Sequence, residues 1–339
     1  MVSYFITRVK RWRHALNWRY AAQGFDYGFV LPLIARLPLR LAYPLAHWRG
    51  TLNAHCHRDW AELSLGFPYV GARCAAAFRE MFSEASTEQV NRWVVNRYQT
   101  VAREEMEGWL AIQGRIDRIR MNVSPIQAVL TKRTPKRGLL VLMSHFDNLF
   151  FGLLGIARCG VPVYLMTSDI VFDERVHPTL RHFFKVKYES YQKMMLGGAF
   201  LPTGARARET FYRVLEEGGV VVVVSDTPAA DNTDRGTWVN WMGKRRRMAD
   251  SALRMAIDTG SEIVALRNRH VAPGEVNWEM SDLLDPKLFS HLSDQLAREA
   301  VYEPLYRFLE AGILKEPGRW WASHLLPVPP TTQSDLGCH

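Results

Sequence analysis

Four short apolar runs that alternate with helical stretches constrain the fold of this chain most. The runs occupy residues 138–143, 161–167, 220–225 and 262–267, and candidate helices begin near Leu149, Arg206 and Met248, between successive runs. Short runs of this kind, often β-branched, are typical of buried strands, and alternation with helices implies crossovers between parallel strands. We therefore predict an α/β fold with a largely parallel central sheet, covered by helices on both faces.

Polar residues follow three of these runs. The first is followed by Ser144, His145 and Asn148, the second by residues 167–169, and the third by Asp226. Open α/β sheets bind ligands at the carboxyl ends of their strands. A neutral imidazole there takes a proton from a hydroxyl or an amine at ordinary pH. We predict His145 as the catalytic base, with Ser144 and Asn148 as candidate substrate-binding residues beside it.

Two carboxylates are candidates to orient His145. Asp147 has a competing structural interpretation, because Ser144 and Asp147 stand at nearly the spacing of a helix capping box. It reaches His145 only if His145 still lies in the loop, since positions two apart on a helix do not face each other. Asp226 follows five consecutive valines. It is either a turn former or a member of the site.

Basic residues further along the chain are candidate anion-binding groups. Lys244, Arg245 and Arg246 begin a basic run that precedes the helix expected near Met248, and Arg206 and Arg208 open another helix. Cations beside a helix N-terminus favour a phosphate-bearing group. A solvated run of charge is the alternative interpretation.

The first 50 residues are basic and aromatic. They contain eight Lys and Arg residues and one acidic residue, Asp26, interleaved with Trp, Tyr and Phe. This pattern suits an anionic membrane surface better than a nucleic acid, because no nucleic-acid recognition motif accompanies the charge. The apolar stretch 29–46 contains Arg36, Arg40 and three prolines, so it is too short and too charged to span a bilayer. We expect it to lie in the interface at the cytoplasmic face of a membrane; an amphipathic helix packed on the core is the alternative.

The remaining organisation follows from composition. We expect a membrane-interface segment at 1–50, a helical portion at 51–135, the α/β domain at 136–325 and a loose tail at 326–339. Ser86 and Gln89 have the spacing of a capping box at the start of one of the helices. The four cysteines, which show no metal-binding spacing, are too sparse for a disulfide scaffold. Neither a metal nor a resident cofactor is expected.

The order of these features resembles the bacterial lipid A late acyltransferases, the lauroyl and myristoyl transferases of the glycerol-phosphate and lysophospholipid acyltransferase superfamily. The resemblance runs from about Tyr27 to His324. It is carried by the Leu, Pro and Arg-rich segment 31–50, the Asn-Arg-Tyr helix followed by Glu104, Glu105 and Glu107, the strand before His145, Arg206 and Arg208, residues 221–226, and the segment 316–324.

The resemblance implies a glycerol-phosphate acyltransferase-like fold and transfer of a fatty acyl group. The donor would be an acyl carrier protein or coenzyme A thioester, and the acceptor a hydroxyl or amine of a membrane lipid or glycolipid. Family members use a histidine followed by four residues and then an acid, which orients it. This chain has Phe150 at that position. Asp147 and Asp226 are the nearest replacements, and Asp226 also matches a family aspartate near the site.

Two other functions remain open from the sequence. One is transfer of an aminoacyl or other acyl group from a carrier protein on the same fold. The other is a non-catalytic lipid-binding role in envelope assembly, which would not need His145. The departure at Phe150 leaves both as alternatives. An imidazole without its usual carboxylate still acts as a base, at reduced strength.

Overall fold

The computed structural model describes residues 18–65, 70–168, 173–202, 204–228, 236–289 and 294–326. The expected basic residues before position 18, Asp169 and the tail beyond Leu326 lie outside this part of the chain. The helices are α1 (Trp18–Phe25), which continues through a π-helical turn (Asp26–Val30) into α2 (Leu31–Arg36), then α3 (Leu39–His55), α4 (Trp60–Leu65), α5 (Val70–Met81), α6 (Thr87–Ile112), α7 (Ser124–Lys132), α8 (Leu149–Arg158), α9 (Pro178–Lys193), α10 (Ala205–Glu216), α11 (Ser251–Thr259) and α12 (Asp294–Lys315). The strands are β1 (Arg120–Met121), β2 (Leu139–Met143), β3 (Val163–Thr167), β4 (Phe200–Pro202), β5 (Val220–Val224), β6 (Thr237–Trp241), β7 (Lys244–Met248), β8 (Glu262–Ala272) and β9 (Glu275–Met280).

A seven-stranded sheet in the order β1-β9-β8-β2-β5-β3-β4 forms the centre of the molecule. All of its neighbouring strands run parallel except β8 and β9, which form an antiparallel hairpin. The predicted α/β class with a largely parallel sheet is confirmed. The four predicted strands correspond to β2, β3, β5 and the first half of β8.

The sheet separates two apolar cores because successive side chains of a strand point to opposite faces. Leu139, Val141 and Met143 of β2 pack in one core with α2, α3, α6, α8 and α9. Leu140 and Leu142 pack in the other core with α10, α11 and α12. A strand buried on both faces reads as a continuous apolar run, which is why β2 and β5 were recognisable.

Local signals set several helix ends. The capping box predicted at Ser86 and Gln89 is confirmed at the start of α6. The start of α11 was predicted wrongly. Met248 ends the strand β7, and the helix begins at Ser251 and ends at Thr259, before Gly260, whose φ of 64° suits glycine. The basic run therefore forms a strand that pairs with β6, rather than the approach to a helix.

The helices α1 to α3 have an apolar outer surface. Leu31, Ala42 and Ala46 are buried in the core, as the packed amphipathic helix would require. Large apolar side chains are also exposed: Trp18, Phe25, Phe29, Leu33, Leu41, Leu45, Trp48 and Leu52. Arg36 and Arg40 are exposed among them. None of the described helices combines the length and the apolar character needed to cross a bilayer.

Candidate active site

His145 and Asp226 lie side by side because of the register between β2 and β5. Met143 of β2 is paired with Val224 of β5 in the parallel ladder. His145 comes two positions after Met143, and Asp226 comes two positions after Val224. The Nδ1 atom of His145 lies 2.6 Å from Oδ1 of Asp226, and the backbone N–H of His145 donates to Oδ2 at 2.6 Å. The carboxylate thus holds both the ring and the backbone of the histidine.

Asp226 is fully buried and remains ionised through its hydrogen bonds. Burial by itself would raise the pKa of its carboxyl group, but the charge of the His145 ring and the hydrogen bonds from His145 and Trp320 lower the pKa below its ordinary value. The indole N–H of Trp320 donates to Oδ2 at 2.7 Å. A buried carboxylate with three donors keeps its charge and its orientation.

The segment after α12 covers the back of His145. Trp320 forms an isolated antiparallel bridge with Phe146, in which the backbone N–H of Trp321 donates to the carbonyl of His145 at 3.1 Å. The ring of Trp321 meets the imidazole edge-on at 4.5 Å between centroids. The side chain of His145 nevertheless keeps 24% of its surface exposed. Its Nε2 atom has no hydrogen-bond partner among the described residues.

A cavity of about 450 Å³ lies next to His145. Most of its lining is apolar: Trp60, Ala61, Leu65, Val101, Leu149, Phe150, Leu165, Met166, Phe184, Tyr188, Val223, Val224, Trp321 and Leu325. Two buried ion pairs lie in the same wall, Lys187 with Glu104 at 2.8 Å and Arg97 with Asp59. An apolar chamber with a few fixed polar groups is typical of a small-molecule site.

Asp147 does not contact His145. Its φ is 54°, in the left-handed region, and its carboxylate meets Arg103, the guanidinium of Arg319 at 2.9 Å and the backbone N–H of His270 at 2.9 Å. Burial would raise the pKa of Asp147, but Arg103, His270 and Arg319 lower it well below its usual range. The role of orienting His145, which the sequence left open between Asp147 and Asp226, falls geometrically to Asp226.

The capping interpretation of Ser144 and Asp147 is wrong. Asn148 caps α8, because its Oδ1 accepts from the backbone N–H of Phe150 at 3.1 Å. The Nδ2 of Asn148 donates to Glu107 at 2.8 Å, so Asn148 is committed to the protein rather than to a substrate. Ser144 is buried, and its hydroxyl has no hydrogen-bond partner among the described residues.

Phe150, at the position where the resemblance implies an acid, packs in an aromatic cluster. Its ring stacks on Tyr191 at 4.5 Å, and the ammonium group of Lys187 lies 4.6 Å from the ring centroid. Phe150 also lines the cavity. Position 150 therefore holds no acid, and the carboxylate next to the imidazole is that of Asp226, which follows the neighbouring strand β5.

The predicted anion-binding residues lie apart from the cavity in the part of the chain that the structure describes. Arg206 and Arg208 are exposed on α10, and Arg208 borders a separate recess of about 420 Å³. Lys244 and Arg246 pair with Glu80, and Arg245 pairs with Glu299 at 3.1 Å. The basic run is therefore balanced by glutamates, which contradicts its prediction as an open phosphate site.

Trp238 and Trp241, the two tryptophans of β6, lie outside the cavity lining. Trp241 is buried between Tyr306 and Trp320 in the second core, and Trp238 is exposed on the β6–β7 hairpin. Sequence reasoning missed the roles of Trp320, Arg97 and Lys187. The segment 316–324 was noted only as part of the resemblance, and nothing in its spacing indicated a hydrogen bond to Asp226.

Comparisons with known proteins gave little. No protein-family model matches the chain, and no curated protein matches it. Among solved structures, the chain is similar to the 1-acyl-sn-glycerophosphate (LPA) acyltransferase PlsC from Thermotoga maritima. The two chains are 16% identical with a TM-score of 0.37, over 82% of this chain and 98% of that one.

Proposed function

We propose that this protein is a membrane-associated acyltransferase in which His145 is the general base. The observation that carries the proposal is the His145–Asp226 pair, 2.6 Å apart, with the imidazole at an apolar cavity. A buried carboxylate that accepts from Nδ1–H fixes the tautomer in which Nε2 is the free base.

In the proposed reaction, Nε2 of His145 removes the proton from a hydroxyl or amine of the acceptor. The freed oxygen or nitrogen attacks the carbonyl carbon of an acyl thioester, and a tetrahedral intermediate forms. The C–S bond then breaks, the acyl group stays on the acceptor, and the imidazolium returns its proton to the thiolate. Asp226 stabilises the imidazolium between these two proton transfers.

The charge on the tetrahedral oxygen needs a nearby donor. At the start of α8 the backbone N–H groups of Asp147, Phe150 and Phe151 are already bonded. The N–H of Leu149 has no partner among the described residues, and Leu149 lines the cavity. We propose the Leu149 N–H as the oxyanion donor.

The cavity favours a fatty acyl chain over a polar acyl group. Its walls are mainly aromatic and aliphatic, and four of its charged side chains are already paired with one another, Arg97 with Asp59 and Lys187 with Glu104. We propose a fatty acyl thioester of acyl carrier protein or coenzyme A as donor. A lipid or glycolipid is the proposed acceptor, in keeping with the sequence resemblance to lipid A acyltransferases, and no resident cofactor takes part.

The exposed apolar surface of α1 to α3 supports membrane association. Its aromatic and aliphatic side chains lie beside Arg36 and Arg40, as in helices that rest in the headgroup region. We propose that this surface holds the protein at the cytoplasmic face of a bacterial inner membrane, where a thioester donor and a lipid acceptor meet.

The deciding experiment measures transfer of radiolabelled acyl groups from acyl carrier protein or coenzyme A onto total bacterial envelope lipids. The wild type should label a lipid, and His145→Ala should lose about a hundred-fold or more of that rate. His182→Ala, which removes an exposed histidine of α9, is the matched control. If the wild type transfers label from neither thioester, or if His145→Ala transfers at the wild-type rate, the proposal is wrong.

A further inference from the structure

A second polar site is lined by Arg103 and Arg319, the two arginines that pair with Asp147. Two recesses, of about 330 and 390 Å³, share the lining residues His47, Arg103 and Arg319. We call these three residues, with Lys315 at the rim of the first recess, the cationic recess. None of the four lines the cavity beside His145.

The guanidinium of Arg103 has donors to spare. Arg103 has only 6% of its surface exposed. Among the described residues its guanidinium donates only to Asp147. Its Nε–H is buried without a partner, although a buried arginine normally uses most of its five donors. The charge persists, because burial lowers the pKa of Arg103 but Asp147 and Glu107 raise it above its usual value.

The neighbouring carboxylates are engaged by other groups, and neither accepts from Nε of Arg103. Glu107 accepts from Tyr43 at 2.8 Å, contacts Nε2 of His270 at 2.6 Å and accepts from Asn148 at 2.8 Å. Asp147 is held by Arg103, Arg319 and the backbone of His270. The ring of His270, which also lines the second recess, is directed at carboxylates, with Nε2 on Glu107 and Nδ1 3.8 Å from Oδ2 of Asp147. The donor left unpaired at this point is therefore the Nε–H of Arg103.

The rim adds further positive charge. Lys315 is exposed and forms no ion pair among the described residues. His47, exposed on α3, contributes a neutral imidazole rather than a charge near neutral pH, because burial and the charge of Arg103 lower its pKa from the ordinary value. The carboxylate of Glu316, the acidic residue at this rim, is already shared between Arg269 at 2.7 Å and Arg319 at 3.1 Å. Arginine forks combined with a lysine are well suited to a phosphate group.

The recess opens beside the apolar surface of α3. Leu41, Leu45 and Trp48 form an exposed stripe, and Pro44 and His47 lie about a quarter-turn away on the same helix and line the recess. If the stripe rests in a bilayer, the mouth of the recess is at the level of the lipid phosphates.

We propose that the cationic recess binds the phosphate group of a membrane lipid headgroup, as a site separate from the cavity beside His145. This inference rests on the proposed function only in assuming that the apolar surface of α1 to α3 faces a membrane. It does not depend on acyl transfer, so His145→Ala should bind lipid as the wild type does.

The test is flotation with vesicles of phosphatidylcholine alone and of phosphatidylcholine containing phosphatidic acid. We expect the wild type to prefer the second, and Arg103→Gln to lose more than about ten-fold of that preference. Arg40→Gln removes an exposed basic residue of α3 that lies outside the recess. It should reduce the preference for phosphatidic acid vesicles by no more than roughly five-fold, the effect expected of any surface cation. Because Arg103→Gln disturbs a buried ion pair, the rim double variant His47→Gln with Lys315→Gln is measured in parallel and should lose more than Arg40→Gln.

Two results would overturn the proposal. In the first, the rim double variant and a folded Arg103→Gln protein lose no more than Arg40→Gln, so that the preference is general electrostatics. In the second, inorganic phosphate saturates the recess in a phosphorus NMR titration while the protein shows no preference for phosphatidic acid vesicles, which makes the site one for free phosphate.

Discussion

The imidazole Nδ1 of His145 meets a carboxylate oxygen of Asp226 that lies eighty-one residues further along the chain. A neutral imidazole has one N–H, and this contact places it on the side away from the cavity. The lone pair of the neutral ring is then on Nε2, and His145 lines the cavity.

Replacing Asp226 by Asn should reduce acyl transfer by about a hundred-fold or more, because an amide no longer stabilises the imidazolium or fixes the tautomer. The rate constant for transfer from the preferred thioester checks this. Asp117→Asn, which changes an exposed carboxylate paired with Arg158, is the control. Full activity in Asp226→Asn would show that the carboxylate is only structural.

An acid placed at position 150 should not replace Asp226 as the partner of His145. Phe150→Asp removes a ring stacked on Tyr191 and buries a carboxylate, so we expect a loss of about 3 kcal/mol or more in the free energy of unfolding. Phe150→Leu keeps most of the apolar volume and should cost about 1 kcal/mol. Urea unfolding measures both. Transfer recovered in the double variant Phe150→Asp with Asp226→Asn would contradict this geometry.

His324 should make stability depend on pH. Burial and the charge of Arg97 lower the pKa of His324 from 6.5 to about 3. Between pH 6.5 and about 3 the unfolded chain binds a proton at this histidine that the folded protein does not bind. The free energy of unfolding therefore decreases as the pH falls through this range.

Thermal unfolding should therefore begin at lower temperature as the pH is reduced from neutral towards about 4, still above the ordinary pKa of Asp. His324→Gln should flatten this dependence relative to the wild type. An unchanged pH profile in that variant would show that other groups are responsible.

The basic strand β7 should be dispensable for the reaction. Lys244 and Arg245 are balanced by Glu80 and Glu299 and lie outside the cavity lining, so Lys244→Ala and Arg245→Ala should each leave the transfer rate within about two-fold. Steady-state kinetics with both thioesters would check this. A rise in the Michaelis constant for the acyl carrier protein alone would identify the strand as a carrier contact instead.

The exposed stripe of α3 should provide binding energy at the membrane. Trp48 is 65% exposed, and Trp48→Ala should reduce partition onto anionic vesicles about ten-fold, because a large ring no longer enters the interface. Leu196→Ser, at an exposed apolar residue on the turn between α9 and β4, should leave partition unchanged. Equal effects of the two substitutions would indicate non-specific adsorption.

The sequence revealed the central strands because they are buried on both faces, so their apolar residues run without interruption. It did not reveal β7. Its residues are mostly charged, and the strand is stabilised by pairing with β6 and by Glu80 and Glu299, which come from distant helices. The continuation of β8 into a hairpin with β9 was missed for a similar reason, since polar side chains alternate there.

The two members of the candidate pair were each recognisable as polar residues at strand ends. Their pairing was not, because it depends on β2 and β5 being neighbours and on their register, which are tertiary facts. Asp147, nearer in sequence, is turned towards Arg103 by its left-handed backbone. Trp320 comes from a segment ninety-four residues beyond Asp226, and no local pattern links them.

The matched register of β2 and β5 has a consequence for how such sites are found. A base and its acid that come from adjacent strands are fixed by the ladder, so the stretch of chain between them is free to vary in length. A search motif that requires both residues in one turn would pass over this chain. A deletion of one residue within β5, by contrast, would swing Asp226 to the opposite face of the sheet and abolish the pair.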